Sequence, residues 1–281
     1  MSNTYIGVDL GGTNVRAGVI SGNKITELVS EKIGSGTSGD EVLQLIAGLI
    51  RRLPYEHAEG IGFGVPSVVD TTEGIVYDVQ NIPGWDEVPL KEIMEKEFSR
   101  PVLVNNDANC FALGEYHFGK GRSYDSLIAL NIGTGFAGGI VLNGRLYEGR
   151  NCGAGEFGTI PYRKSILEHY CAGLFFQRNY GVSGGELGRR AASGDPDALE
   201  IFKVFGRHVG VAMQIILYSY DPQAIILGGS VSRSWRFFKE SLFRELENYE
   251  YQNSLKNLVI DRSEIENIAV LGAAALIREW T

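Results

Sequence analysis

The chain has 281 residues, 44% of them hydrophobic, so it is long enough to bury one large core or two modest ones. Its net charge of −8 argues against a broad nucleic-acid-binding surface, and we expect no nucleic-acid partner. The N-terminal residues lack the basic and long apolar regions of a signal peptide, and no apolar run reaches membrane-spanning length. We therefore expect a cytoplasmic protein with no membrane contact.

The first predicted element is a three-stranded meander over residues 4–33, built around a glycine-rich turn. The turn, Gly11-Gly12-Thr13-Asn14, can wrap a phosphate chain with its backbone amides. Asp9 ends the preceding strand, where its carboxylate could hold the hydration shell of Mg²⁺. The alternative is an aspartate that only hydrogen-bonds the turn. The neighbouring glycine residues favour the metal and phosphate role.

Residues 34–104 predict a further alternation of helices and strands. Asp40 is expected to cap a helix that reaches Leu53, because the apolar residues between them follow helical spacing. A buried strand at 61–65, a helix at 90–98 and a strand at 102–104 follow. This alternation is typical of an α/β protein.

A cluster of polar residues, Asn105-Asn106-Asp107-Ala108-Asn109, stands where this last strand gives way to a helix predicted over 108–118. Asp107 could be the ordinary N-cap of that helix. A cap does not require so many adjoining amides, however, and such a cluster suits a ligand rich in hydroxyl groups. In that setting Asp107 would accept a proton from one hydroxyl and make its oxygen nucleophilic.

The second half begins with a strand at 127–131 and a second glycine-rich turn, Gly133-Thr134-Gly135. A spacing of 122 residues relates Gly11 to Gly133, and the same spacing relates Gly22 to Gly144 in the tight turns that follow. A register held over two turns indicates duplication. Two such turns suggest one nucleotide bound between two similar halves.

Two glutamates follow the second hairpin. Glu156 lies within Gly153-Ala154-Gly155-Glu156-Phe157-Gly158, and this glycine-rich frame favours a ligand role over that of a solvated surface charge. The sequence around Glu168 carries no comparable local signal.

The remaining elements complete the α/β alternation. A long helix is predicted from Asp195 to Tyr220, because an N-cap aspartate followed by proline is a strong helix start. A strand at 224–227 opens at Gly228-Gly229, where a flat ring could approach the backbone. A strand at 258–260 and a closing helix at 268–280 follow.

These motifs, in this order, resemble the ROK family (repressor, open reading frame, kinase) of the sugar kinase, actin and heat-shock-chaperone ATPase superfamily. The resemblance runs along almost the whole chain. It is carried by Asp9-Leu10-Gly11-Gly12-Thr13-Asn14, Gly64-Val65-Pro66-Ser67-Val68-Val69-Asp70, Asn81-Ile82-Pro83-Gly84-Trp85, Asn106-Asp107-Ala108-Asn109, Ile132-Gly133-Thr134-Gly135, Gly153-Ala154-Gly155-Glu156 and Leu227-Gly228-Gly229.

The resemblance implies an α/β, two-domain duplicated actin-like ATPase fold, which is ribonuclease H-like, with a cleft between the domains. The implied domains are 1–118 and 119–267, with helix 268–281 returning to the first, and the implied assembly is a homodimer. The implied reaction is ATP-dependent phosphorylation of a hexose, glucose or an N-acetylated hexosamine, at the 6-hydroxyl, with Asp107 as general base. The implied substrate-binding residues are Gly64, Asn81, Asn106, Asp107, Glu156, Thr159 and Glu168. The implied MgATP-binding residues are Asp9, Gly11, Gly12, Thr13, Asn14, Gly133, Thr134, Gly135, Gly228 and Gly229, with Asp9 holding Mg²⁺ through water.

The chain departs from the family pattern on the sugar side. Family members usually carry a histidine and then a cysteine-rich zinc loop between the two glutamates. Here Thr159 takes the histidine position, and residues 160–166 are short and lack cysteine, so we expect no zinc site. Ser67 and Asn105 also replace usual residues, a glycine and an acid, and we expect these positions, near the sugar side, to bear on specificity.

Two other functions are weighed against the kinase. Family repressors carry an N-terminal helix-turn-helix, and we expect none here because the residues before the first glycine turn are too few to form one. A sugar sensor without catalytic activity is disfavoured by the presence of Asp107, although fold alone does not fix function.

Overall fold

Two five-stranded mixed sheets with surrounding helices form the frame of the computed structural model, which describes residues 3–79, 82–150 and 152–280. The predicted α/β class is confirmed. The strands are β1 (Thr4–Leu10), β2 (Asn14–Ser21), β3 (Lys24–Lys32), β4 (Ile61–Val65), β5 (Val68–Asp70), β6 (Ile75–Tyr77), β7 (Glu87–Val88), β8 (Val102–Asn106), β9 (Leu127–Ile132), β10 (Phe136–Leu142), β11 (Arg145–Leu146), β12 (Pro161–Tyr162), β13 (Ser165–Ile166), β14 (Ala224–Gly228) and β15 (Val259–Arg262). The helices are α1 (Gly39–Ile50), α2 (Leu90–Phe98), α3 (Asp107–His117), α4 (Glu168–Cys171), α5 (Leu174–Tyr180), α6 (Gly184–Ala192), α7 (Pro196–Tyr220), α8 (Trp235–Leu246), α9 (Gln252–Leu255) and α10 (Ile268–Trp280).

The two sheets have the same construction. Their strand orders are β3-β2-β1-β4-β8 and β11-β10-β9-β14-β15, each with a three-stranded antiparallel meander followed by two strands in parallel pairing. The turns after β2 and β10 both contain a glycine with positive φ, +60° at Gly22 and +76° at Gly144. This correspondence in space agrees with the duplication that the 122-residue spacing predicts.

Helix α1 begins two residues earlier than predicted. Ser38, not Asp40, is its N-cap, because the Ser38 hydroxyl accepts from the backbone N–H of Glu41 and the Glu41 carboxylate accepts from the Ser38 N–H at 2.8 Å. This reciprocal capping box satisfies two helix-end donors, whereas an Asp40 cap would satisfy one.

Helix α7 follows the prediction at both ends. The Asp195 carboxylate accepts from the N–H groups of Asp197 and Ala198, at 3.0 and 3.2 Å, and Pro196 takes the first helical position. Among the described residues, this helix of 25 residues is the one that is long and apolar enough to cross a membrane. The expectation that no run reaches that length is therefore wrong. One face of this helix, including Phe202 and Phe205, is buried in the protein core, whereas Tyr218 is exposed.

Helices α3 and α10 join the two sheets. Helix α10 packs on β1, β4 and α3, and α3 packs in turn on β9 and β10. The approach is close enough to require glycine. A β-carbon added to Gly62 would lie 1.8 Å from the Ala273 carbonyl oxygen, and one added to Gly272 would lie 1.6 Å from that of Cys110. The position of α3 is thereby fixed against both sheets.

We expect Gly272→Ala to destabilise the protein by more than about 2 kcal/mol, because the new methyl group must push α10 away from α3. Gly48→Ala in α1 is the matched control, since a β-carbon there meets no atom within 4 Å. That substitution should stabilise the protein by about 0.5–1 kcal/mol through the better helix propensity of alanine. Urea unfolding followed by circular dichroism measures both, and equal effects would contradict the close contact.

Candidate active site

Parallel strands bring the first half's predicted site residues to one edge of the sheet. Asp9 on β1 is in register with Gly64 on β4, which is in register with Asn105 on β8. Asp107 begins α3 directly after β8. A β-carbon on Gly64 would lie 3.0 Å from the Cys110 sulfur, so glycine allows α3 to lie close beside this edge. The structure thus brings Asp9 and Asp107 together.

Asn106, and not Asp107, caps helix α3. The Asn106 Oδ1 atom accepts from the Ala108 N–H at 2.8 Å, and its Nδ2 atom donates to the Ser67 carbonyl oxygen at 3.0 Å. The interpretation of Asp107 as the N-cap is therefore wrong. Asp107 also accepts from the Ala108 N–H at 2.8 Å, but it is the first residue of the helix itself. It lines the cavity between the sheets.

The electrostatic surroundings of Asp107 suit a group that exchanges a proton near neutral pH. Burial, reinforced by the negative charges of Asp9 and Glu156, raises the pKa of Asp107 to about 7, against the opposing hydrogen bond from Ala108. A base is most effective when its pKa lies near the working pH. Perturbed carboxylates in a cleft are typical of catalytic sites.

Arg16 is a site residue that the sequence reasoning missed. Its Nη1 atom lies 3.3 Å from Asp9 Oδ2, and both residues line the same cavity as Asp107. Burial raises the pKa of Asp9, and the positive charge of Arg16 opposes that rise. The signal was available in the hairpin register, because a turn of this length places residue 16 opposite residue 9.

A second missed group lies beneath the polar cluster. Asn105 is 2% exposed, and its Oδ1 atom accepts from the Asn106 N–H at 2.8 Å and from Asn109 Nδ2 at 2.9 Å. Its Nδ2 atom donates to Glu148, which comes from the second half of the chain. Cys152, also from the second half, packs in the core of the first half, with its sulfur 3.4 Å from Asn105 Oδ1. No motif pointed to either contact.

The second half contributes Glu156, Thr159 and Glu168. The Thr159 hydroxyl donates to the Glu156 carbonyl oxygen at 2.8 Å, and Glu168 accepts from the Phe136 N–H at 3.2 Å. Burial and the charge of Glu168 raise the pKa of Glu156. The structure therefore brings these three residues close together. Asn81, the remaining predicted sugar ligand, lies outside the described residues.

The two glycine turns are formed as predicted. The N–H of Gly11 donates to the Asn14 carbonyl oxygen at 2.9 Å, and the N–H of Gly133 donates to that of Gly135 at 3.0 Å. Thr13 and Gly12 in the first turn, and Thr134 in the second, are exposed at the tips. The second turn is also fixed by the Gly173 N–H, which donates to the Gly133 carbonyl oxygen at 2.8 Å.

Two adjoining cavities lie beside these groups. One of about 490 Å³ separates Asp9 and Asp107 from Gly228 and Gly229. The other, of about 630 Å³, begins at Gly133 and Thr134. Ser230 and Arg233 line both. Neither cavity is lined by the remaining predicted nucleotide-binding residues, which are Gly11, Gly12, Thr13, Asn14 and Gly135. The same is true of the predicted sugar-binding residues Gly64, Asn106, Glu156, Thr159 and Glu168.

The residues along the first cavity fit a magnesium nucleotide. Asp9 supplies one carboxylate, and Mg²⁺ keeps most of its waters and needs few protein ligands. Gly229 has φ +82°, and a β-carbon there would lie 2.4 Å from Asn131 Oδ1, so only glycine leaves the backbone open at this point. Within the described ranges there is no group of three or more His, Cys, Asp or Glu residues that could hold a metal ion.

Comparison with known proteins gives consistent likenesses. The model of the ROK family matches residues 5–280. An N-acetyl-D-glucosamine kinase of Vibrio vulnificus strain YJ016 is 31% identical over 265 residues, covering 84% of this chain and 87% of the relative. A ROK family glucokinase of Streptomyces griseus, solved with glucose and AMPPNP, is 27% identical with a TM-score of 0.86, over 99% of this chain and 100% of that one.

A ROK family transcriptional regulator, a homologue of the E. coli MLC protein, is also similar in structure. It has a TM-score of 0.88 at 22% identity, over 99% of this chain and 78% of that chain, and this likeness shows the fold alone. Together with the glucokinase structure, it confirms the predicted fold class.

The raised pKa of Asp107 gives a pH-dependent stability that can be measured. Between pH 4 and 7 the native state keeps the Asp107 proton that the unfolded chain releases, so this carboxyl group lowers stability as the pH rises. We expect Asp107→Asn to be more stable than the wild type by at least ~1 kcal/mol at pH 8, and by less at pH 4.

Asp195→Asn serves as a control of opposite sign. Its hydrogen bonds to Arg190 and to the helix N-terminus lower the pKa of Asp195, so this variant should lose more stability at pH 8 than at pH 4. Unfolding curves at the two pH values measure both variants. The same pH trend in both would contradict the environment described for Asp107.

Proposed function

The chain belongs to the ROK family, and from this premise we propose that it is an ATP-dependent sugar kinase that phosphorylates a hexose at its 6-hydroxyl. The observation that carries the proposal is the position of Asp107. It stands at the cavity between the two sheets, with a pKa raised to about 7 and with Asp9 beside it. A carboxylate so placed can accept a hydroxyl proton at neutral pH.

The reaction that we propose divides the work among residues of both halves. Asp107 takes the proton from the sugar hydroxyl, whose oxygen then bonds to the transferred phosphorus while the bond from that phosphorus to the bridging oxygen breaks and ADP leaves. Asn106, Glu156 and Glu168 bind the other hydroxyl groups and orient the ring. Catalysis of phosphoryl transfer consists mostly of such positioning and of charge stabilisation.

MgATP, when bound, supplies the transferable phosphoryl group. In our proposal Asp9 would hold the hydrated metal, and the turns at Gly11–Asn14 and Gly133–Gly135 would hold the phosphates. Gly228 and Gly229, which line the first cavity, would leave space there for the nucleoside. Arg16 can balance the negative charge that gathers between Asp9 and the phosphates, because its guanidinium already lies in this cavity.

The substrate class that we propose is glucose or an N-acetylated hexosamine. It is supported by the Vibrio vulnificus relative, which is an N-acetyl-D-glucosamine kinase, and by the Streptomyces griseus structure, which holds glucose. Thr159 and Ser67 are the positions from which we expect this chain's own selectivity. The Thr159 side chain is shorter than the family histidine and leaves more space beside Glu156.

We also propose that residues 1–118 with 268–281, and residues 119–267, act as two domains that close over the sugar. Closure would exclude water from the phosphoryl group and limit wasteful hydrolysis. The cytoplasmic location and the homodimer remain predictions. The alternatives, a sugar-responsive regulator or a sensor without catalytic activity, share the sugar site but require no turnover.

A coupled assay of ADP release tests the function. With MgATP and each of glucose, N-acetylglucosamine, N-acetylmannosamine, mannose and fructose, we expect sugar-dependent release with at least one sugar. Asp107→Asn should lower kcat by roughly a hundred- to ten-thousand-fold because the base is lost, while sugar binding by calorimetry is largely kept. Asp125→Asn, at an exposed carboxylate, is the matched control and should keep full activity.

The outcomes separate the candidate functions. An active Asp107→Asn variant would remove Asp107 as the base. Sugar binding without any ADP release would favour the sensor or regulator.

A separate prediction concerns zinc. Residues 161–166 form the hairpin β12–β13 and contain no cysteine. We therefore expect elemental analysis of the purified protein to find zinc far below one equivalent per chain. Treatment with a chelator followed by readdition of Mg²⁺ alone should restore full activity. One zinc per chain, or activity that only zinc restores, would contradict this.

A further inference from the structure

The hairpin β12–β13 connects two of the residues to which the proposed function gives a sugar-binding role. Thr159 precedes it and Glu168 follows it. The base of the hairpin is closed by the Leu167 N–H, which donates to the Ile160 carbonyl oxygen at 2.9 Å. Any tilt of the hairpin would therefore displace Thr159 and Glu168 together.

The hairpin is too small to hold its own position. Each strand has two residues, and the turn residues Arg163 and Lys164 are exposed. Two-stranded hairpins are at best marginally stable in water, even when they are longer. Contacts with the rest of the protein must therefore fix its orientation.

Tyr162 makes the central one of these contacts. Its hydroxyl lies 3.1 Å from Nδ1 of His208, which projects from the long core helix α7. The Tyr162 ring also meets the Tyr170 ring edge-on, with centroids 5.1 Å apart, and Tyr170 lies 5.2 Å from the His208 ring. Phe175 closes the cluster at 5.6 Å from His208.

The state of His208 makes this contact a hydrogen bond between neutral groups. The residue is 6% exposed, and burial together with the charges of Arg163 and Arg207 lowers its pKa to about 4. At neutral pH its ring is therefore uncharged. A buried ring nitrogen that loses its partner is left unsatisfied, so the bond to Tyr162 holds the hairpin in one orientation.

We propose that Tyr162 and His208 are a positioning pair that orients the hairpin and thereby holds Glu156, Thr159 and Glu168 in their sugar-binding arrangement. The proposal rests on the sugar-binding role given to those residues under the proposed function. Neither Tyr162 nor His208 touches the substrate in this scheme. Both act through the hairpin, which links their contact to the two glutamates.

The test compares Tyr162→Phe with Tyr180→Phe. The first removes the hydroxyl that meets His208 and keeps the ring. The second removes a hydroxyl from another tyrosine that packs against Phe175 but does not reach His208. We expect Tyr162→Phe to weaken sugar binding by about three- to tenfold, the effect of one hydrogen bond, and to raise the sugar KM equally. The kcat value and the KM for MgATP should stay within about twofold of the wild type. Tyr180→Phe should change none of these quantities.

Two further measurements separate positioning from general stability. Hydrogen exchange of the amides in 159–168 should be faster in Tyr162→Phe and unchanged in Tyr180→Phe. In the double variant with His208→Leu, Tyr162→Phe should weaken sugar binding no further, because the shared bond is already lost.

Equal sugar affinity in the wild type and Tyr162→Phe would overturn the positioning role alone. An additive effect in the double variant, or a kcat loss at unchanged sugar affinity, would also overturn it. A wild type that binds none of the sugars would overturn the proposed function, and the positioning role with it. Calorimetry without nucleotide distinguishes these cases, because it does not require turnover.

Discussion

The close approach of helix α3 to both sheets is the constraint on which the candidate site depends. A β-carbon on Gly139 would lie 2.2 Å from the Ala108 carbonyl oxygen, and one on Gly114 would lie 2.3 Å from that of Ile268. Glycine at these positions lets α3 lie between β10 and α10. Because Asp107 is the first residue of α3, this packing sets the position of the carboxylate relative to both halves of the cleft. A larger side chain at any of these contacts would move the site as well as lower the stability.

The same packing concentrates negative charge. Burial raises the pKa of Asp9, Asp107 and Glu156. Repulsion from neighbouring carboxylates adds to the rise at Asp107, through Asp9 and Glu156, and at Glu156, through Glu168. Such an arrangement is unfavourable for the isolated protein, and Arg16 relieves it only at Asp9. The proposed binding of a hydrated cation and of sugar hydroxyl groups would give these carboxylates further partners. The burial and repulsion that make this carboxylate cluster unfavourable therefore also underlie its proposed ability to bind and activate a sugar.

Local sequence patterns predicted most of the fold, because most turns and element ends depend on residues close together in the sequence. The glycine turns, the start of α7 at Asp195 and the strand before Asp107 were all readable from neighbouring residues. The N-cap of α1 was misplaced because Ser38 and Asp40 are both good caps, and only the reciprocal bond with Glu41 distinguishes them. Arg16 was readable from the hairpin register but was overlooked. The contact of Asn105 with Glu148 and that of Tyr162 with His208 each join residues about 45 positions apart. No local spacing in the sequence indicates such a pairing.

The placement of Cys152 bears on whether the chain can be divided into two fragments that fold separately. It belongs by sequence to the second half, yet its side chain packs in the core of the first half, under Asn105. Helix α10, at the far end of the chain, likewise lies on β1 and β4. The chain thus passes between the halves more than once, and residues from its second half complete the packing of the first half. A fragment containing only the first half would lack pieces of its own interior, so the duplicated architecture does not yield two separable modules.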